Sequence, residues 1–261
     1  MLADYHLHTH NSDDSKVEMY EYAERAIQIG FDEFCYTDHK DYDVDGLNGI
    51  ESDKYLIEYK KVLEKYSDKI NIKLGAEFGM QIFNINKFEN LFKSLPLDFV
   101  ILSFHTVDKK MLWNKDFFEG RTQKEYNERY YQEIIDVTKI YKNYSVLGHL
   151  DLIRRYDTSY YPFEKIKDFI AEILKQIIKD GKGLEVNTSC FRYKIPDLTP
   201  SVDILKLYKD LGGEILTIGS DSHSVEHFGA KIFDVQKQLK ELGFNHFYTF
   251  DKMQPIGHNL I

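Results

Sequence analysis

Short apolar runs alternate along the chain with longer stretches whose apolar residues recur every three or four positions. The short runs predict strands over Leu2–His6, Glu33–Thr37, Ile72–Glu77, Phe99–Phe104, Ser145–His149, Gly183–Asn187, Ile215–Gly219 and His246–Phe250. The longer stretches predict helices over Val17–Ile29, Asp53–Tyr66, Asn84–Lys93, Gln123–Tyr141, Phe163–Lys179, Ser201–Leu211 and Gly229–Leu242. In the fifth of these, Ile166, Phe169, Ile170, Ile173, Leu174 and Ile177 fall on one helical face. Gly30, Gly181 and Gly212 follow the last apolar position of their helices, where a glycine commonly ends the helix.

Strand and helix in repeated succession imply a parallel sheet, because each crossover returns the chain to run in the same direction. Seven such units suit a closed or nearly closed α/β barrel of the (β/α)7 type, as a single domain over residues 1–261. An open doubly wound sheet is the alternative, but the glycine fingerprint expected after its first strand is missing. The segment Val107–Arg121, with Trp113, Phe117 and Phe118, reads as a long loop that could cover the barrel mouth.

The residues suited to metal chemistry fall at strand ends. The first strand ends at His6, followed by His8 and His10, and the second runs into Thr37-Asp38-His39. Glu77 closes the third, and His105 follows the fourth. The fifth ends in Gly148-His149-Leu150-Asp151, the sixth in Glu185-Val186-Asn187-Thr188-Ser189, and the seventh in Gly219-Ser220-Asp221-Ser222-His223. In a parallel barrel these ends share one face, where the active sites of this architecture form. Imidazole and carboxylate together bind Zn²⁺, Mn²⁺ or Fe²⁺, and a carboxylate can bridge two ions. Alternation along an extended chain puts His6 and His8 on one side, able to hold one ion. His246 and His258 read as surface or packing residues, and His227 as the start of a helix.

Composition narrows the classes. The chain has 261 residues and a formal net charge of −9, which argues against broad nucleic-acid binding while leaving small anions open, since bound cations can reverse the local field. Two cysteines, Cys35 and Cys190, cannot build a disulfide framework and read as buried thiols. No apolar stretch approaches a membrane span, and the first residues lack the pattern of a signal peptide, so the expected location is cytoplasmic.

The motifs resemble those of the polymerase-and-histidinol-phosphatase (PHP) superfamily. Asp4-Tyr5-His6-Leu7-His8-Thr9 is similar to its first motif, Thr37-Asp38-His39 to the second, Phe104-His105 to the third, and Gly219-Ser220-Asp221-Ser222-His223 to the last. Gly148–Tyr156 and Leu184–Ser189, the latter followed by Phe191-Arg192-Tyr193, resemble the histidinol-phosphatase branch. The resemblance implies a distorted barrel, two or three divalent ions (Zn, Mn or Fe), and hydrolysis of L-histidinol phosphate in histidine biosynthesis. It places His6, His8, Glu77 and Asp221 on a first ion, with Glu77 bridging to a second completed by His105 and His149. A third would use His39, His223 and Asp14, where many relatives have His; Asp13 is the neighbouring alternative.

The expected reaction is in-line attack by a metal-bridging hydroxide on a phosphate monoester, since metal binding lowers the pKa of water towards about 7. Asp221 or His223 would protonate the leaving oxygen. Arg155 and Arg192 are the expected phosphate contacts, with Arg154 as the alternative to Arg155. His10 is either a residue behind the ligands or a substrate contact. Asp41, Asp43 and Asp45 could meet the substrate amine, and Trp113, Phe117 and Phe118 its ring. Two other enzyme readings stand beside this one: a nucleotide phosphatase or phosphodiesterase of the same superfamily, and a C–N hydrolase of the amidohydrolase kind. The latter often bridges its metals with a modified lysine on the fourth strand. A non-enzymatic metal-binding protein is the remaining alternative.

Overall fold

The computed structural model describes residues 1–44, 46–157 and 159–261, so Asp45 lies outside the described residues. In chain order the elements are β1 (Ala3–Asp4), α1 (Met19–Ile29), β2 (Glu33–Tyr36), β3 (His39–Asp41), α2 (Ser52–Tyr66), β4 (Asn71–Gly79), α3 (Ile85–Ser94), β5 (Phe99–Ser103), β6 (Thr106–Val107), β7 (Lys110–Met111), α4 (Gln123–Ile140), β8 (Val146–Leu147), α5 (Ile153–Tyr156), α6 (Lys167–Lys179), β9 (Gly183–Asn187), α7 (Val202–Asp210), β10 (Leu216–Gly219), α8 (Ile232–Glu241), β11 (His246–Asp251) and β12 (Gln254–Asn259).

Seven strands pair in the order β1-β2-β4-β5-β8-β9-β10, every pairing parallel. β3 continues the line of β2 along β4, setting His39 opposite Glu77. The two ends of the path meet: Tyr5 N–H donates to Ile218 O (3.1 Å), Ser222 N–H to His6 O (3.2 Å) and His8 N–H to Ser222 O (2.8 Å). The result is a nearly closed α/β barrel with helices outside it. β5, Phe-Val-Ile-Leu-Ser, is buried at every position, as expected of a strand with barrel interior on one face and helices on the other.

The helices lie close to their predicted bounds because sequence signals fix their ends. Thr122 accepts from Glu125 N–H while the Glu125 carboxylate accepts from Thr122 N–H (2.7 Å), a reciprocal cap that starts α4 at Gln123. Gly30 ends α1 with φ of 74°, a left-handed backbone that glycine adopts without strain. α6 buries Ile170, Ile173, Leu174 and Ile177 against the barrel. Among the described residues no helix is long and apolar enough to cross a membrane.

Two departures matter. The eighth expected strand does not join the barrel: β11 pairs antiparallel with β12, a strand the sequence pattern does not announce. This hairpin lies across the end of the barrel opposite the histidines, where the Phe250 ring meets Phe99 (5.0 Å) and Phe99 meets Tyr5 (4.9 Å). The expected loop after β5 contains its own small hairpin, β6–β7, and turns the Phe117 ring into the core, fully buried.

Candidate metal and phosphate site

At the C-terminal face of the strands, five imidazoles converge on Glu77. Its Oε2 lies 3.2 Å from His6 Nε2, 3.6 Å from His8 Nε2 and 2.9 Å from His39 Nδ1. Its Oε1 lies 3.2 Å from His105 Nε2 and 2.9 Å from His149 Nε2, and accepts the Ser103 hydroxyl at 2.6 Å. Asp221 stands beside the first pair, with Oδ1 3.4 Å from His8 Nε2 and 3.8 Å from His6 Nε2. Asp14 Oδ2 reaches His223 Nε2 at 3.1 Å and His39 Nε2 at 3.7 Å. The His8 ring is stacked between His39 (4.0 Å) and His223 (4.2 Å).

The scaffold behind these side chains explains their placement. The Asp38 carboxylate accepts from Thr9 N–H, the Thr9 hydroxyl and the Ser12 hydroxyl, which binds the loop after β1 to the end of β2. Ser12 Oγ in turn accepts from His39 N–H at 2.9 Å. Asp41 accepts from His105 Nδ1 (3.0 Å), directing Nε2 towards Glu77. Gly79 makes room for it, because a Cβ there would sit 1.8 Å from Asp41 Oδ1. Asp221 has φ of 54°, and Arg192 clamps that turn by donating to Ser220 O (2.8 Å) and Asp221 O (2.6 Å). Backbone held in this region at a site is strain that the surrounding contacts maintain.

Burial raises the pKa of carboxyl groups and lowers that of imidazoles, yet here charge overrides it for most groups. Burial acts to push Glu77 up, but His6, His105 and His39 hold it well below the usual carboxylate range. Asp221 is likewise lowered despite burial, chiefly by His6, by the bond from His8 and by Arg155. Asp14 is lowered against burial by its bond to His223 and by His39. Burial works against protonation of His6, but Glu185, Glu77 and Asp221 raise it well above the ordinary histidine value. Burial also opposes protonation of His39, which Glu77 and Asp14 raise to about 9. His8 goes the other way, pushed well down by burial and by His39 and His223.

Asp14, His39, His105, His149, Asp221 and His223 line a cavity of about 350 Å³, whose other walls include Leu47, Trp113, Leu152, Tyr156 and Tyr193. Arg155 projects into it, donating to Ser189 Oγ (2.7 Å) and Asp221 Oδ2 (3.1 Å) beneath the Tyr193 ring at 4.0 Å. The fourth barrel strand, Phe99–Ser103, carries no lysine, and the shared group is instead the Glu77 carboxylate, unlike the carbamylated-lysine design of the amidohydrolase kind.

Every residue expected to hold metal is brought to this face. The expected substrate contacts divide. Arg155 lines the cavity, whereas Arg154 turns away to Asp151 Oδ2 (2.7 Å). Arg192 serves the Asp221 backbone and does not line the cavity. His10 leaves the cluster because the chain turns after Thr9, and its Nε2 meets Glu58 Oε2 at 3.0 Å in a separate surface hollow. Asp41 reaches the cavity wall from behind His105 rather than as a free carboxylate. Asp43, with φ of 65°, points outward to Lys87. Phe118 packs on Tyr126 (4.8 Å) away from the cavity, while Trp113 does reach it. Tyr156, Tyr193, Leu47 and Leu152 are wall residues to which the sequence alone assigned no role, although Leu152, Tyr156 and Tyr193 lie in the segments that resemble the histidinol-phosphatase branch, which was the available signal.

Comparison with known proteins agrees with this site. The PHP domain family matches residues 4–189. The histidinol-phosphatase of Lactococcus lactis subsp. lactis strain IL1403 is 31% identical over 257 residues, spanning 96% of this chain and 95% of its own length. The probable histidinol-phosphatase of Thermotoga maritima is also 31% identical, spanning 94% of each chain. Among solved structures, the Lactococcus lactis histidinol phosphate phosphatase, complexed with zinc, L-histidinol and phosphate, superposes with a TM-score of 0.90 at 30% identity over 98% of both chains. A fold, a motif order and a cluster of ligand-type side chains thus point the same way, and the chain belongs to the PHP domain family, on its histidinol-phosphatase branch.

Proposed function

We propose that the protein is a metal-dependent phosphomonoesterase that hydrolyses L-histidinol phosphate to L-histidinol and phosphate. The observation that carries this is the ring of imidazoles around the buried carboxylate of Glu77, three of which, His39, His105 and His149, line a cavity that also receives Arg155. The end-to-end likeness to a phosphatase crystallised with zinc, L-histidinol and phosphate supports the choice of substrate.

The donor set fits divalent cations. His6 Nε2, His8 Nε2, His39 Nδ1 and Glu77 Oε2 are buried without a hydrogen-bond partner, which is costly unless a cation completes them. Three groups of ligand atoms each lie within 4.8 Å of one another: His6, His8 and Glu77; His39, Glu77 and His105; and His8, His39 and His223. We assign His6, His8, Glu77 and Asp221 to one ion and Glu77, His105 and His149 to a second. His39, His223 and Asp14 would hold a third. The same carboxylates that draw protons onto His6 and His39 draw dications. Cations bound there would supply Lewis acidity and a water acidified towards neutral pH.

The chain's own residues account for the rest of the reaction. Arg155, pre-oriented by Ser189 and Asp221, offers its remaining N–H groups to phosphate oxygens, a planar geometry suited to that anion. Trp113, Tyr156 and Tyr193 exclude water and face the organic part of the substrate. We assign protonation of the leaving alkoxide to His223 in the two-ion state, where its Nε2 holds no third cation and it is the more exposed of the two candidates, since Asp221 is engaged by Arg155 and His8.

Phosphate release from L-histidinol phosphate, nucleoside monophosphates and a phosphate bis-ester tests the assignment. The expected result is a kcat/KM for L-histidinol phosphate at least about tenfold above the others, equivalent to about 1.4 kcal/mol of transition-state discrimination. Preference for the bis-ester would overturn the monoesterase reading.

A further inference from the structure

The run Glu185-Val186-Asn187-Thr188-Ser189 closes β9 and contributes no group to the assigned ligand sets. Its alternate residues are joined side chain to side chain behind the site. Glu185 Oε1 meets His6 Nδ1 in a short contact, and Glu185 Oε2 accepts from His149 N–H (2.8 Å) and Asn187 Nδ2 (3.1 Å). Asn187 Oδ1 accepts from Ser189 N–H (3.0 Å) and from the Ser189 hydroxyl. Ser189 Oγ then accepts from Arg155 Nη2 at 2.7 Å. Donor and acceptor roles run consistently along the row, so every member is satisfied and each fixes its neighbour's orientation.

We propose that Glu185, Asn187 and Ser189 form a positioning ladder that ties the orientation of the His6 imidazole at one end to that of the Arg155 guanidinium at the other. Glu185 is suited to this because a carboxylate only accepts. It takes three donors at once, His6 Nδ1–H and the two on Oε2, whereas an amide would have to turn its own N–H groups on one of them. With Nδ1–H committed to Glu185, His6 is held in the tautomer whose Nε2 lone pair faces Glu77 and Asp221. The fit is close. A Cβ on Gly219 would fall 2.6 Å from Glu185 Oε1 and 2.4 Å from His6 Cβ, so glycine at the end of β10 lets the pair form. At the far end, Ser189 and Asp221 hold the same Nη2 of Arg155, leaving the outer edge of the guanidinium for a ligand.

The inference rests on the phosphomonoesterase reading only for the role of Arg155. Its test therefore uses zinc and inorganic phosphate rather than the organic substrate. In the zinc-loaded full-length protein, Glu185→Gln is expected to lose zinc affinity about 10- to 100-fold in a chelator competition, with its circular dichroism unchanged. Ser189→Ala is expected to hold zinc as the wild type does and to bind inorganic phosphate about 5- to 10-fold more weakly by calorimetry, the loss of one hydrogen bond. Ser189→Thr, which keeps the hydroxyl, should restore phosphate affinity. Communication along the row is read from Glu185→Gln at saturating zinc, which should also bind phosphate a few-fold more weakly. Wild-type zinc affinity in Glu185→Gln, or wild-type phosphate affinity in Ser189→Ala, overturns the ladder. Ser189→Ala and Ser189→Thr decide it alone should Glu185→Gln not fold. Failure to turn over L-histidinol phosphate would leave both binding readouts intact and count against the substrate alone.

Discussion

The two ends of the barrel each bury a glutamate, and the difference between Glu77 and Glu33 shows how one set of strands separates chemistry from stability. At the closed end, Glu33 is partnered by the Tyr5 hydroxyl (2.5 Å), and that hydroxyl also accepts from Phe250 N–H (2.9 Å). The β11–β12 hairpin seals the region: Lys252 N–H and Met253 N–H donate to Asp98, and Lys73 pairs with Asp251 at 2.6 Å. At the open end, Glu77 gathers five imidazoles, of which His6, His8 and His39 present inward nitrogens that, like its own Oε2, lack hydrogen-bond partners. Completed polar groups mark structure, and incomplete ones facing each other mark a place for a ligand. The division matches the general rule that the C-terminal face of such barrels carries function and the opposite face stability.

The largest effect that probes this contrast is expected from Glu77→Gln. Replacing the shared carboxylate removes the charge that balances five imidazoles, so metal content should fall. The turnover of L-histidinol phosphate should drop by about 10³-fold or more, a loss of about 4 kcal/mol of transition-state stabilisation. Elemental analysis and phosphate release check both, and wild-type turnover would remove Glu77 from its assigned bridging place. At the opposite end, Phe250→Ala should do the reverse. It deletes a ring buried against Phe99 and is expected to cost about 3–5 kcal/mol in denaturant unfolding. Activity per folded, metal-loaded molecule should stay within about twofold of wild type. A loss of kcat in that variant at full metal content would show that the two ends are not independent.

Much of this was legible in the sequence, for a physical reason. Barrel strands buried on both faces appear as apolar runs, and a residue such as Glu77 or His149 at a strand end is placed by topology alone. The hairpin escaped because Gln254–Asn259 is largely exposed and contains Pro255 and Gly257, so it carries no apolar alternation. α5, four residues long, is too short for a helical period, although it carries Arg155 into the cavity. Spacing also misled where the chain turns. Alternation would keep His10 beside His8, but the turn after Thr9 carries it away. Asp41 looks like a free acid in the sequence, yet the absence of a side chain at Gly79 lets it settle behind His105. Such contacts join residues far apart in the chain, and nothing local encodes them.

The smallest expected effect, and the finest probe of the closed end, is Tyr5→Phe. The change removes one hydroxyl and leaves both Glu33 and Phe250 N–H short of a partner, at a cost of about 1–3 kcal/mol at neutral pH. The cost should depend on pH with a definite sign. Burial raises the Glu33 carboxyl above its ordinary value of 4.5, and the Tyr5 bond and Lys73 oppose that rise. An acid whose folded-state pKa is raised holds its proton more tightly when folded, so stability declines as pH climbs through the window from 4.5 to the raised value. Losing the Tyr5 hydroxyl lifts the folded-state value further and extends that window upward. The difference in unfolding free energy between Tyr5→Phe and wild type should therefore be smallest near pH 4.5, where the pH-independent loss at Phe250 N–H dominates, and grow towards neutrality. Denaturant titrations of the two proteins across that range measure it. A difference that shrinks as pH rises would mean that Tyr5 does not stabilise the Glu33 carboxylate, and the satisfied half of the comparison would lose its central pair.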